Sequence, residues 1–335
     1  MSLANKKVER GVAGLKMIGA RMGMDALAVV MEGPQRLAIR RLALTQLGED
    51  DVLVEIEWTG ISTGTERLLW SGAMPPFPGM GYPLVPGYES VGRIAAAGRR
   101  AQSRIGERVF VPGASCYVDA KGLFGGAAQR LIVPAARALP LPETVEAEGT
   151  LLALAATARH ALVGGNVLPE LIIGHGVLGR LMARMVVALG APAPVVWETN
   201  AKRRSGAVGY SVVDPEADAR RDYKVICDVS GAAGILDQLI MRLAPGGEII
   251  LAGFYADAVS FAFPPAFMRE ARIRVAAEWK HDDLIATQAM ISAGPLSLDG
   301  LITHRQSAEE APDAYETAFG DEDCLKMILD WRGVA

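Results

Sequence analysis

Gly174, Gly176 and Gly179 stand in G-x-G-x-x-G spacing within LIIGHGVLGRLMARMVVALG, after a β-type run and before a helix-type run. That placement suits a pyrophosphate. The first glycine makes a tight turn, the second lets the backbone approach the phosphates, and the third lets helix and strand pack closely. A helix opening at Val177 and Leu178 adds N–H groups and the positive end of its dipole. Glu198, 19 positions after Gly179, ends the run APVVWE, where a carboxylate can accept hydrogen bonds from an adenosine ribose. A 2′-phosphate meets a like charge there, which favours NAD over NADP. Lys202, Arg203 and Arg204 follow closely; they either accommodate a phosphate, with Arg203 kept as a cofactor candidate, or solvate a helix start. His175 in the glycine turn reaches the cofactor, reaches a neighbouring carbonyl, or is a partly exposed turn residue. Ser230, Gly231, Gly253 and Phe254 lie just past strand-like runs, on the carboxyl edge where nicotinamide-side contacts are expected.

The elements that must hold these residues follow from pattern. Over 24–150 the chain is strand-rich: ALAVVME, RLAIRRLAL and DVLVEIEWTGIS alternate or run apolar, with Gly, Pro and Asp between them. IGERVFVPG and GGAAQRLIVPAARALPLP add two strand candidates. Over 151–295 the texture changes. The Ala-rich LLALAATARHALV predicts a helix, followed by the short strands ELIIG, APVVWE, SVVD, KVICDVS and GEIILAGF with helices expected between them. This is the rhythm of an α/β fold with a doubly wound parallel sheet, expected to end near Ile273. Residues 296–335 read as strand, helix and strand returning to the first domain. Residues 1–23 carry five Lys or Arg against one Glu and lack the apolar centre of a secretory signal, so a tail is expected. It consists of residues ahead of the folded domain or of a basic amphipathic helix on a membrane surface.

Composition narrows the function. The chain has 335 residues, 50% hydrophobic and 21% charged, enough for two domains. Net charge is -4 with mixed signs along the chain, so no basic stripe points to nucleic acid. Apolar runs stop short of the roughly 18 residues that a membrane span needs. Cys116, Cys227 and Cys324 are odd in number and widely spaced, which argues for a reducing cytoplasm rather than a disulfide framework.

With GISTGTE, VPGYESVG, GERVFV and LAATARHAL added to the glycine motif, the chain after Met24 resembles the medium-chain dehydrogenase/reductase superfamily. The resemblance implies a GroES-like β-barrel catalytic domain, in two sequence pieces, around a Rossmann domain. A homodimer joined edge to edge through Rossmann sheets is also implied. Where zinc-dependent relatives place Cys, His and Cys as catalytic ligands, this chain has Ser62, Tyr88 and Ala153; Glu89 alone matches. The lobe for a structural zinc retains Cys116 alone. Zinc takes about three protein donors in a catalytic site and four in a structural one, so no metal is expected. Longer segments, among them ISTGTERLLWSGAMPPFPGMGYPLVPGYESVGR and FAFPPAFMREARIR, resemble a branch that acts on a bacteriochlorin or chlorin. That likeness implies NAD-dependent oxidation of a ring-A 1-hydroxyethyl group to acetyl in bacteriochlorophyll synthesis.

Alcohol oxidation needs an acceptor for the hydroxyl proton. On this resemblance Tyr88 hydrogen-bonds the substrate oxygen and passes its proton through Ser62, Thr63 or Thr65. Its ordinary pKa of about 10 is high for a base, so a nearby positive charge, such as the nicotinamide ring, has to lower it. Glu66 or Glu89 are alternative bases, a bound water is another, and Tyr88 as a packed aromatic filling the vacated metal space is the plain alternative. WSGAMPPFPGMGYP gathers Trp70, Met74, Phe77, Met80 and Tyr82, with no helical or strand period, either around a flat apolar ligand or as an ordinary anchored loop. Two other functions stay open, a zinc-free NADPH-dependent quinone or enoyl reductase and a non-catalytic dinucleotide-binding sensor.

Overall fold

A computed structural model describes residues 24–76 and 78–334. The tail expected over 1–23, and Phe77 among the substrate candidates, lie outside the described residues. The first domain is built from β1 (Asp25–Gly33), β2 (Arg36–Ala43), β3 (Asp51–Gly60), α1 (Thr65–Ser71), β4 (Leu84–Val85), β5 (Ser90–Ala97), β6 (Arg108–Val111), β7 (Lys121–Gly122), β8 (Arg130–Pro134) and β9 (Leu139–Pro140). A four-stranded sheet, ordered β2-β1-β4-β7, faces a larger one in which β3 pairs antiparallel with both β5 and β8. Val30 and Met31 of β1 and Val52 and Val54 of β3 are fully buried in the barrel core. β1 and β3 are buried over runs of consecutive residues rather than on alternate ones, so both of their faces are largely covered.

The second domain begins with α2 (Leu152–Val163), which is buried nearly all round because its alanines let α3 (Val177–Ala188) and α6 (His281–Ser292) pack closely. Its sheet contains β10 (Leu171–Ile173), β11 (Val195–Trp197), β12 (Ser211–Val213), β13 (Tyr223–Asp228), β14 (Leu243–Leu251) and β15 (Arg272–Val275). All are parallel, ordered β12-β11-β10-β13-β14-β15, with α4 (Leu236–Arg242) and α5 (Phe263–Met268) as crossovers. This is the doubly wound order whose switch point lies at the central strand, β10.

One expectation is corrected here. Helices do not fill every connection: β11 and β12 are joined through a 3-10 turn at Ala201–Arg204, and no helix lies between β12 and β13. Gly206 and Gly209 adopt positive φ, while the Asp214 and Asp218 carboxylates accept from the amides of Glu216 and Arg220 at 3.0 and 2.9 Å. Such side-chain turns compete with helix. Ile273 sits inside β15, the last strand of the parallel sheet and one that the sequence reading did not place. As an edge strand β15 is largely exposed, so its burial signal in sequence is weak.

Residues 296–301 still pack on the Rossmann core through Leu296, Leu298 and Leu301. The chain then forms β16 (His304–Ser307), α7 (Ala311–Gly320) and β17 (Met327–Asp330). Ile328 of β17 pairs antiparallel with Gly60 of β3, which closes the barrel sheet beside the residues described next.

Candidate active site

The turn after β3 and the turn before β5 bring Ser62 and Tyr88 together, with Ser62 Oγ 2.7 Å from Tyr88 Oη. Ser62 is 5% and Tyr88 8% exposed. The fully buried Glu66, in the first turn of α1, accepts from the Ser62 amide at 3.1 Å and from the Tyr315 hydroxyl of α7 at 2.6 Å. Thr65 adds a hydrogen bond to Tyr88, whereas Thr63 is exposed.

Glu89 is fully buried and ion-paired with the ammonium of Lys326, itself 1% exposed. That ammonium also donates to the Ile61 carbonyl at 3.0 Å. A Cβ on Gly60 would lie 2.0 Å from Glu89 Oε2, so glycine makes room for the pair. Lys326 thereby ties together the chain just before Ser62 and just after Tyr88.

Burial pushes the Tyr88 phenol well above its ordinary range, and the neighbouring Glu89 adds to the rise. In the protein alone Tyr88 is therefore a neutral hydroxyl. Burial likewise raises the Glu66 carboxyl, to about 7, against the hydrogen bonds from Tyr315 and Ser62. Glu89 is raised by burial and held back by Lys326.

Glu66 carries a stability prediction. Its folded pKa of about 7 lies above the ordinary 4.5, so the folded protein keeps a proton that the unfolded chain has lost. The contribution is complete below about pH 4.5 and is lost as pH rises through about 7, a change of about 3 kcal/mol. Glu66→Gln cannot ionise. Its stability relative to the unsubstituted protein should therefore rise by that amount between about pH 4.5 and about pH 8 in urea unfolding. A difference that stays constant with pH would contradict the buried, near-neutral carboxyl.

The three positions that the resemblance compares with zinc ligands hold Ser62 and Tyr88, two hydroxyls bonded to each other, and the buried Ala153, which has no donor. This set does not fit zinc. Among the described residues no group of three or more His, Cys, Asp or Glu could hold a metal ion.

The glycine turn fits a dinucleotide. Gly174 has φ of 100°, and a Cβ on Gly179 would lie 1.9 Å from the Gly174 carbonyl, so neither tolerates a side chain. At Gly176 a Cβ would meet nothing within 4 Å, leaving the approach open in front of α3. Val177 and Leu178 open α3 and send their side chains into the Rossmann core, so their contribution to a ligand is through backbone N–H groups. Glu198 accepts from the amides of His175 at 3.1 Å and Asn200 at 2.8 Å, which fixes its carboxylate beside the glycine turn.

His175 is neither a partly exposed turn residue nor a cofactor ligand through its ring. The side chain is fully buried, with Nδ1 2.6 Å from the Arg203 carbonyl and Nε2 2.8 Å from Tyr210 Oη. Burial lowers its pKa to about 4, so the ring is neutral. The cations behind Glu198 also have protein partners. Arg203 donates to the Glu322 carbonyl at 3.1 Å, Arg204 pairs with Asp214, and Lys202 pairs with Asp323 at 3.7 Å.

On the carboxyl edge, the Ser230 hydroxyl donates to Asp228 at 2.7 Å, and the Tyr255 hydroxyl donates to the other Asp228 oxygen at 2.6 Å. Asp228 is fully buried and shapes both loops. A Cβ on Gly231 would be 2.9 Å from the Phe254 carbonyl, and one on Gly253 2.9 Å from the Gly231 amide, so the two loops touch. Phe254 is 50% exposed at that edge.

The aromatic segment is anchored on the barrel. Trp70 belongs to α1 and packs on Phe319 of α7, with centroids 5.5 Å apart. Met74 is 4% exposed within the barrel core, and Met80 packs against that core. The Tyr82 hydroxyl donates to the Leu69 carbonyl. These residues anchor α1 rather than face Tyr88. Sequence reading missed Tyr315, Lys326, Phe124 and Trp279. Lys326 alone left a sign, a single charge inside the apolar run CLKMIL.

A parallel sheet in Rossmann order, a barrel in two sequence pieces and a glycine turn at the head of α3 define a medium-chain dehydrogenase. The model of the alcohol dehydrogenase GroES-like domain matches residues 48–143. Over 311 residues the chain is 59% identical to 2-desacetyl-2-hydroxyethyl bacteriochlorophyllide A dehydrogenase of Rhodobacter capsulatus, covering 92% of this chain and 99% of that protein. It is 57% identical over 318 residues to the Cereibacter sphaeroides protein of the same name, covering 93% and 100%. The chain belongs to this family of dehydrogenases. Among solved structures, an alcohol dehydrogenase of E. coli CFT073 complexed with NADH superposes with a TM-score of 0.79 at 21% identity, covering 92% of this chain and 100% of that one. A dehydrogenase of Sinorhizobium meliloti 1021 bound to NADP gives 0.78 at 21%, covering 92% and 99%. These two share the fold.

Proposed function

We propose that this chain oxidises the ring-A 1-hydroxyethyl group of a bacteriochlorin to acetyl, with NAD as acceptor and without zinc. The observation that carries the reading is 57–59% identity, over more than nine-tenths of the chain, to two relatives named for that substrate. The nicotinamide, when bound, supplies the hydride acceptor. Gly174, Gly176, Gly179 and the first amides of α3 hold its pyrophosphate side, and Glu198 receives the adenosine ribose. NAD is preferred because a 2′-phosphate would meet the Glu198 carboxylate, while Lys202, Arg203 and Arg204 are engaged by the protein.

Tyr88, as a neutral hydroxyl, hydrogen-bonds the substrate oxygen and orients the carbinol. The hydroxyl proton passes to Tyr88 and Ser62 and on to solvent; Glu66, which meets Ser62 through its backbone amide, has a pKa of about 7 that suits it to take up a proton near neutrality. A carbinol joined to a conjugated macrocycle releases hydride readily, since the ring delocalises the developing positive charge. Substrate and pocket share what a metal supplies elsewhere.

The test is the absorption spectrum of hydroxyethyl bacteriochlorophyllide incubated with protein and either NAD or NADP, with and without a chelator. A red-shifted acetyl-type spectrum that forms faster with NAD and survives chelation is the expected result. No shift with either nucleotide would remove the substrate assignment, and loss on chelation would remove the zinc-free one. Reduction driven by NADPH would favour a quinone or enoyl reductase.

A homodimer is also proposed. The edge strand β15 exposes Ile273 and Val275 beside Phe263, Phe267 and Met268 of α5, an apolar surface that a second copy of β15 would cover. No helix among the described residues is long and apolar enough to cross a membrane. Three buried, unpaired cysteines suit the cytoplasm.

A further inference from the structure

Two rings outside the segment 70–82 enclose Tyr88. Phe124 stands edge-on to it, with centroids 5.3 Å apart and planes at 90°. Trp279 lies 6.0 Å away at 42°. Tyr88 is buried between them, whereas Phe124 and Trp279 are each only half-buried and keep part of their surface free.

Both rings are held in place. The Phe124 carbonyl accepts from the Ala114 amide at 2.8 Å. A Cβ on Gly113 would lie 2.2 Å from that carbonyl oxygen, so the loops carrying Phe124 and Gly113 are pressed together. Trp279 comes from the other domain. It follows β15 at the carboxyl edge of the parallel sheet, where ligands of this fold sit. The preceding residue, Glu278, has φ of 53°, a left-handed conformation that a non-glycine residue keeps only when its surroundings impose it.

We infer that Phe124 and Trp279 form the aromatic surface on which the planar macrocycle stacks, so that its hydroxyethyl substituent meets Tyr88. The inference rests on the proposed function and adds to it the residues that set specificity for a large flat substrate. Offset or edge-on contact between conjugated rings contributes beyond the area buried. An aliphatic side chain of similar size lacks the flat face. Because one wall comes from each domain, the stacking surface is complete only where barrel and nucleotide domain meet.

The experiment titrates hydroxyethyl bacteriochlorophyllide by absorbance against the full-length protein and the variants Trp279→Ala, Trp279→Leu and Trp279→Phe, with NAD affinity measured alongside. Trp279→Ala and Trp279→Leu should weaken pigment binding by about tenfold and Trp279→Phe by less than about threefold, with NAD affinity unchanged in all of them. Equal affinity for the Leu and Phe variants, or pigment binding indifferent to all three, would overturn the stacking role. So would a parallel loss of NAD binding, which would mark Trp279 as a structural wedge. Should Trp279→Ala fail to fold, the comparison of Leu with Phe decides alone. Turnover of pigment by the unsubstituted protein, followed in the same samples, separates the two readings. Its absence defeats the proposed function, whereas its presence with indifferent variants defeats only the stacking role.

Discussion

Tyr88→Phe should lower kcat for the hydroxyethyl pigment by about 10²–10³-fold while KM changes by less than about threefold. The substitution keeps the ring between Phe124 and Trp279, so pigment stacking and barrel packing survive. It removes the hydroxyl that bonds Ser62 at 2.7 Å and with it the proposed proton path from substrate to Ser62. Ser62→Ala should cost less, about tenfold, because Tyr88 retains the hydrogen bond from Thr65. Steady-state kinetics with pigment and NAD decide the matter. Unchanged kcat in Tyr88→Phe would reduce Tyr88 to a ring filling the space where relatives hold a metal. The pH profile of kcat adds a second check. Glu66, with its pKa raised by burial to about 7, should give a rising limb near that pH that disappears in Glu66→Gln.

Lys326→Met should destabilise the protein by about 3–5 kcal/mol, since it leaves the Glu89 charge buried without its partner. The cost of an uncompensated buried charge exceeds the net worth of the pair itself, because two ions removed from water recover little more than their desolvation. Combining Lys326→Met with Glu89→Gln should therefore restore most of the loss. Denaturant midpoints of both single variants and the double variant complete the cycle. Additive losses would show that Lys326 acts through packing or through its bond to the Ile61 carbonyl rather than through Glu89. The single variant should also lose activity beyond its loss of stability, as Lys326 fixes the chain on either side of Ser62 and Tyr88.

The amino-acid sequence by itself determined the glycine cradle and most of the strands of the parallel sheet. Each depends on spacing within a few residues or on residue type. Gly174 and Gly179 are dictated by a turn whose atoms leave no room for a Cβ, and such a constraint reads directly from G-x-G-x-x-G. The acidic end of APVVWE is local in the same sense. Where local signals competed, as between β11 and β13, glycines and aspartate turns defeated the helices that the βα rhythm suggested.

Tertiary structure alone decided which side chains surround Tyr88. Tyr315 reaches Glu66 across 249 positions and Lys326 reaches Ile61 across 265, distances over which no periodicity carries information. The same holds for the aromatics. Trp70 and Met74 belong to the right composition, but packing of α1 on α7 turned them into barrel structure, whereas Trp279 arrived from the opposite domain. His175 shows the limit at one residue. Its place in the turn follows from sequence, yet its ring turns inward because the Arg203 carbonyl and the Tyr210 hydroxyl satisfy both nitrogens there. A buried polar group goes where its hydrogen bonds can be made, and only the assembled chain offers those partners.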